Sequence, residues 1–156
     1  MAIAERLGCY KRPQGTFDAE MEFKDAGLVA SSAAAQVDSA AAVIDVGDGL
    51  FKACMILDVT ALDIDGNNEL YDIVVQGSTV AAFATAGSIV ELAAINLSAK
   101  EMKRTDSDKD DAVGRFKIYF DNENNGTYYR YLRVYTVCAG AGISTGINYS
   151  AYAVPM

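Results

Sequence analysis

The sequence predicts an all-β domain, a sandwich or a barrel, on two observations. Apolar and polar residues alternate with a period of two in several segments, and clusters of Gly, Asn and Asp separate those segments. Alternation is clearest at Phe116, Ile118 and Phe120 against Lys117 and Tyr119, and at Tyr71, Ile73 and Val75 against Asp72 and Gln76. Ala53, Met55, Leu57 and Val59 repeat it. Between such runs, "VGDG", "DIDGNN" and "DNENNG" supply residues that tolerate positive φ or cap a turn. Many short strands with this punctuation indicate two stacked sheets or one closed sheet.

The elements follow in order. Up to Thr16 the chain mixes Pro13, Gly15, charges and isolated apolar residues without a sustained period, so residues 1–17 read as an N-terminal arm and 18–156 as the domain. Candidate strands are "AEMEFK", "LVASSAAAQV", "AAVIDV", "LFKACMILDVTAL", "ELYDIVVQ", "SIVELAAINL", "GRFKIYF", "TYYRYLRVYTV" and "GINYSAYAV". In "LVASSAAAQVDSAAAV" alanine favours helix by intrinsic propensity. Ser31, Ser32, Val29, Val37 and Val43 interrupt that run, and its neighbours read as strands, which favours extended chain. "AAINLSAKEMKR" could close with a helical turn, and the charged stretch "AKEMKRTDSDKDDAVG" reads as a solvated excursion. No self-similar period suggests a repeat architecture.

The strand that opens at Thr127 ends abruptly at Ala139-Gly140-Ala141-Gly142. Because successive side chains point to opposite faces, Leu132, Val134 and Thr136 share a dry face. Tyr129, Tyr131, Arg133 and Tyr135 share the other.

At 156 residues, 51% of them hydrophobic, the chain is one domain that can bury roughly 70% of its unfolded surface without metal or disulfides. Cys9, Cys54 and Cys138 are an odd count at wide spacings, suggesting neither a disulfide framework nor a metal pair. Cys54 and Cys138 lie in apolar runs and read as buried small hydrophobes, consistent with folding in a reducing compartment. The start has no continuous apolar core of a secretory signal, and no stretch approaches the ~18 apolar residues of a membrane helix. A soluble protein is expected. The net charge of -8 repels phosphate backbones, which argues against direct nucleic-acid binding.

The chain contains no histidine, which removes the commonest general base and metal ligand and every Ser-His or Cys-His pair. A glycosidase-type carboxylate pair stays open on composition, but no Asp or Glu has a recognisable setting and Trp is absent. "DIDGNNELYDIV", "DSDKDDAVGRFK" and "DNENNGTYYRYL" each begin with oxygen donors, but a calcium loop of the EF-hand kind needs Gly at the sixth position and Glu at the twelfth. Asn68 and Val74, Asp111 and Lys117, and Leu132 break the pattern in turn, leaving an irregular cation site in the acidic loop 105–111 as the residual metal option. "AGAGISTG" lacks the Lys of a phosphate loop and reads as a glycine hinge. The reading is therefore not an enzyme, with no catalytic, cofactor or metal residue assigned.

The order of segments from about Asp18 to Val154 resembles the jelly-roll capsid cement, or decoration, proteins of tailed double-stranded-DNA bacteriophages. The resemblance rests on "DAEMEFKDAG", the Ala/Ser stretch "LVASSAAAQV", "VIDVG", "YDIVVQGSTVAAFATAG" and "YRYLRVYTVCAGAGISTGINYSAYAV". Its most telling block is Arg130 to Arg133 with Thr136 and Val137. The arm and the acidic loop around Asp106 to Asp111 are longer than the family pattern, so the analogy assigns them no contact. The resemblance implies a jelly-roll β-sandwich of about eight or nine antiparallel strands. It further implies a homo-oligomer, dimer or trimer, folded in the host cytoplasm and placed on the outer capsid surface of the virion. There it would clamp neighbouring major capsid proteins, with no membrane or nucleic acid as partner.

Tyrosine and arginine bring large contact area and a polar tip to protein interfaces. Tyr129, Tyr131, Arg133 and Tyr135 are accordingly candidate contact residues, joined by Lys11 and Arg12 of the arm. Two other readings stand beside this one. The tyrosine face simply covers the sandwich, or the domain is a non-catalytic carbohydrate- or receptor-binding module of a phage particle.

Overall fold

The computed structural model describes residues 17–66, 68–84, 87–99, 101–102, 107–108 and 110–156, the pairs 101–102 and 107–108 as backbone only. A short 3-10 turn, Ala19–Met21, is capped by the Asp18 carboxylate and leads into β1 (Glu22–Val29). Four two-residue strands follow: β2 (Ala33–Ala34), β3 (Gln36–Val37), β4 (Ala40–Ala41) and β5 (Ile44–Asp45). The long strands are β6 (Lys52–Leu62), β7 (Leu70–Ser78), β8 (Ile89–Asn96), β11 (Gly114–Asp121), β14 (Tyr131–Ala139) and β15 (Ile147–Pro155). Two hairpins interrupt the series, β9 (Glu101–Met102) with β10 (Ser107–Asp108), and β12 (Glu123–Asn124) with β13 (Thr127–Tyr128).

These strands form an all-β sandwich of antiparallel sheets. One sheet has the order β1-β15-β6-β11, and the other β2-β14-β7-β8 with β5 also paired to β14. The alternation in the sequence sets which side chains lie between them. Ala53, Met55, Leu57 and Val59 of β6, with Ile147, Tyr149, Ala151 and Ala153 of β15, meet Tyr71, Ile73 and Val75 of β7 and Leu132 and Val134 of β14. Each large side chain buried this way contributes about 1.5–3 kcal/mol. One polar contact crosses the same space: the hydroxyls of Thr136 on β14 and Tyr149 on β15, both buried, hydrogen-bond to each other.

The alanine-rich run is extended. It forms the end of β1 and then β2, β3 and β4, whose turn places Asp38 at φ 50° and Ser39 at φ 65°. Two successive positive φ values are what a two-residue hairpin turn of matching twist requires. Helix propensity loses here because the small residues pack along the strands, with Ala34 opposite Tyr135 and the Ala35 N–H bonded to the Val134 carbonyl. After β8, Leu97 and Ala99 donate their N–H groups to the carbonyls of Tyr71 and Glu69, so "INLSA" continues extended and makes no helical turn. "DNENNG" is a hairpin turn, with Asn125 at φ 52° and Gly126 at φ 81°.

The four sheet edges differ. β1 has two register shifts, β2 has only two residues, and β8 carries a bulge between the partners of Val75 and Gln76. β11 pairs with β6 in unbroken register from Gly114 opposite Val59 to Asp121 opposite Lys52.

Candidate functional site

The closing strand delivers most, but not all, of its expected face. β14 begins at Tyr131, two residues later than the alternation needs to carry Tyr129 with it. Tyr129 instead donates its N–H to the Asn122 carbonyl, and its Cβ lies 2.8 Å from where a side chain on Gly77 would begin. Gly77 pairs with the buried Leu132, so Tyr129 caps the inner side of the sheet and leaves the outer face to Tyr131, Arg133 and Tyr135. Lys11 and Arg12 lie outside the described residues.

Arg133 is occupied within the chain. Its Nε donates to Oε1 of its cross-strand partner Gln76 at 2.9 Å. Its guanidinium sits 4.3 Å from the Phe83 ring centre and 5.4 Å from that of Tyr135. Burial pulls its pKa down and Tyr135 opposes that, but a guanidinium stays charged in either case. Phe83 is buried although it belongs to the β7–β8 connection, and it holds a left-handed φ of 47°. A residue with a Cβ in that region costs about 1–3 kcal/mol. The ring therefore latches the connection over the outer face, and no local sequence signal marks it.

At one margin of this face Arg130 makes a two-pronged ion pair with Asp45, 2.7 and 2.9 Å, and stands 5.5 Å from the Tyr131 ring centre. The Arg130 guanidinium, helped by the Gly47 N–H, holds the Asp45 carboxyl below its ordinary range. Tyr131 and Tyr135 are half-buried.

Buried polar groups that the sequence did not flag organise the rest. Lys24 Nζ donates to the carbonyls of Asp25, Gly27 and Tyr149 at 2.8, 2.9 and 3.0 Å and lies 4.6 Å from the Tyr149 ring centre. Burial lowers its pKa. It forms part of the wall of an open groove of about 430 Å³ between β1 and the β2–β4 segment, with Asp25, Gln36, Ser39 and Thr136. At the far end of the sandwich, Asp63 Oδ2 accepts the N–H groups of Ser144 and Thr145 at 2.7 and 2.8 Å and the Ser144 hydroxyl at 3.0 Å. Those backbone donors hold its pKa far below the ordinary carboxylate range. Glu69, fully buried, accepts from the Gly66 and Asn68 N–H groups. "AGAGISTG" is thus pinned by Asp63 and is not a free hinge. Gly140 and Gly146 have positive φ and lie so close to the backbone of Asn68 and Val29 that no Cβ fits.

The remaining candidates also find structural employment. Asp111 accepts the Ser98 N–H at 2.9 Å, and residues 105–106 and 109 of the acidic loop lie outside the described residues. Among the described residues no group of three or more Cys, Asp or Glu is placed to hold a metal ion. Cys54 is buried, while Cys138 is only half-buried because it lies near the end of β14. Burial pushes both thiols up, which keeps them protonated. No helix among the described residues is long and apolar enough to cross a membrane. No protein-family model, curated protein or solved structure matches the chain.

Proposed function

We propose that the chain is a structural virion protein, a cement or decoration protein that binds the outer surface of a tailed-phage capsid and bridges neighbouring major capsid proteins. The observation that carries this reading is the strand order. Taking β1, the β2–β5 group, β6, β7, β8, β11, β14 and β15 as first to eighth, one sheet runs 1-8-3-6 and the other 2-7-4-5. That interleaving of two Greek keys is the pattern of a jelly roll, an architecture shared by viral capsid domains, lectin domains and cupins. It supports the resemblance drawn from the Arg-Tyr-Leu-Arg strand, because strand order is not contained in any one segment. Fold alone does not carry function. The second support is the outer face around Tyr131 and Tyr135, whose rings offer amphipathic contact area.

The physical role is stabilisation without chemistry. A protein that binds the assembled shell, and not its dissociated parts, stabilises the shell by about 4 kcal/mol per site at a thousand times its dissociation constant. Many copies make strong single contacts unnecessary. An acidic exterior subunit also keeps clear of packaged DNA.

The test adds purified chain to capsids that lack it and measures occupancy by cryo-microscopy and capsid melting temperature. Tyr131→Ser with Tyr135→Ser is the informative variant, since Arg133 is held by Gln76 and Phe83 and its replacement would disturb the fold. Decorated, more heat-resistant capsids with wild-type chain and bare capsids with the variant are expected. Wild-type chain that leaves capsids bare would refute the proposal. The groove beside Lys24, lined by Asp25, Gln36 and Ser39, favours a second reading as a receptor- or carbohydrate-binding module. It has no aromatic ring among its lining residues on which a sugar could stack, and glycan-array binding is the measurement that would reverse the ranking.

A further inference from the structure

Three of the four sheet edges are interrupted or very short, and β11 is neither. Exposed edges invite pairing with another chain, and proteins blunt them with bulges, short strands, proline or charged side chains, of which β11 has only the last. β11 runs eight residues without bulge or proline. No strand pairs with its outer side among the described residues.

The hydrogen-bond phase of this edge can be fixed. Asn122 donates its N–H to the Phe51 carbonyl, continuing the β11–β6 register by one step, so residues 118, 120 and 122 direct their backbone groups toward β6. Arg115, Lys117, Tyr119 and Asp121 therefore direct theirs outward. The same four place their side chains on the outer face, with Arg115 beside Asp58 at 2.6 Å and Tyr119 64% exposed.

We propose that β11 pairs antiparallel with β11 of a second copy about a two-fold axis at Ile118, joining two four-stranded sheets into one. The sequence Arg115-Phe-Lys-Ile-Tyr-Phe-Asp121 is complementary to its own reverse in this register. Arg115 faces Asp121 of the other copy, and Lys117 faces the Tyr119 ring. Phe116 faces Phe120, and Ile118 meets itself on the inner side. Phe116 and Ile118, only partly buried at the margin of the core, gain an apolar neighbour. Charge and the apolar pairs together select the register. A slip by one step of pairing in one direction sets Lys117 against Lys117, and like charges directly opposite destabilise a pair. The slip in the other direction still sets Lys117 against Asp121, but it places Phe116 opposite Asn122 instead of Phe120 and moves Arg115 opposite Glu123, beyond the end of β11. The outward N–H and C=O groups of four residues per copy find partners at the same time.

This inference gives one definite form to the homo-oligomer that the sequence resemblance implies, but its measurement uses the free chain, so it can fail or succeed independently of capsid binding. Sedimentation of the full chain should give a concentration-dependent dimer. Lys117→Pro removes an outward N–H and leaves the β6 ladder intact, so it should yield a folded monomer with an unchanged β-type circular-dichroism spectrum. Asp121→Lys, opposite Arg115, should raise the dimer dissociation constant about tenfold or more. Ile118→Cys lies at the axis in a non-hydrogen-bonded pair, where close Cα atoms permit a disulfide; mild oxidation should link position 118 to itself by peptide mapping. A monomer or a trimer at every accessible concentration would overturn the proposal. So would a dimer indifferent to both Lys117→Pro and Asp121→Lys, or failure of Ile118→Cys to cross-link within a dimer.

Discussion

The hydroxyl pair of Thr136 and Tyr149 gives the sharpest energetic test of how the two sheets are held. Each group is buried, at 1% and 0% exposure, and each is the other's partner across the core. Thr136→Val keeps the side-chain shape but strands the Tyr149 phenol, a loss of about 1–3 kcal/mol. Tyr149→Phe strands the Thr136 hydroxyl at a similar cost. The double variant leaves nothing stranded, so it should be no less stable than the weaker single, giving a coupling energy of about 1–3 kcal/mol. Urea denaturation of the four proteins measures this directly. Melting temperatures should follow, by about 2–4 °C per kcal/mol for a chain of this size. Burial raises the Tyr149 phenol well above its ordinary value, against the opposing pull of the Thr136 hydrogen bond, so the phenol is neutral near pH 7. A double variant whose loss equals the sum of the two singles would refute the reasoning, since the groups would then act independently.

Three further outcomes are expected. Lys24→Met removes the donor shared by the carbonyls of Asp25, Gly27 and Tyr149 and should cost about 1–3 kcal/mol in urea, toward the lower end because part of the site opens to water; an unchanged midpoint would contradict this. Asp63 has a folded-state pKa below its unfolded value of about 4, so its contribution is fully present above that pH and is lost as pH falls through the folded value. Asp63→Asn should therefore lower stability at neutral pH and flatten the acid limb of a stability-versus-pH curve, whereas an acid limb identical to wild type would show that other carboxylates set it. Phe83→Ala removes the ring under Arg133, worth about 0.5–2 kcal/mol as a cation–π contact, and should expose the β7–β8 connection to limited proteolysis; equal cleavage rates would mean the ring does not fasten it.

Much of the sandwich was legible because its alternating residues lie on long, regular strands. Met55, Leu57, Ile73, Val75 and Phe120 all face the core as their period of two requires. Tyr129 shows where that logic stops: a period holds only within a strand, and the strand is interrupted between β13 and β14. The interleaved sheet order was not contained in any segment, since β1 pairs with β15 across nearly the whole chain. The candidate face was half legible. Tyr131, Arg133 and Tyr135 share it as expected, but the approach of Phe83 depends on a left-handed residue in a connection that nothing nearby marks. Lys24 was hidden for a related reason, because its burial follows from carbonyls that only the folded β1 and β15 bring together.

The two poles of the sandwich have opposite tolerances. At the pole where Gly140 and Gly146 press against neighbouring backbone, even a methyl group has no room. At the other, the exposed Asn125–Gly126 bend has nothing within 4 Å of where a side chain on Gly126 would point. Foreign peptide spliced into that bend would ride on the domain as cargo, whereas the same graft at the glycine-packed pole would pry the layers apart.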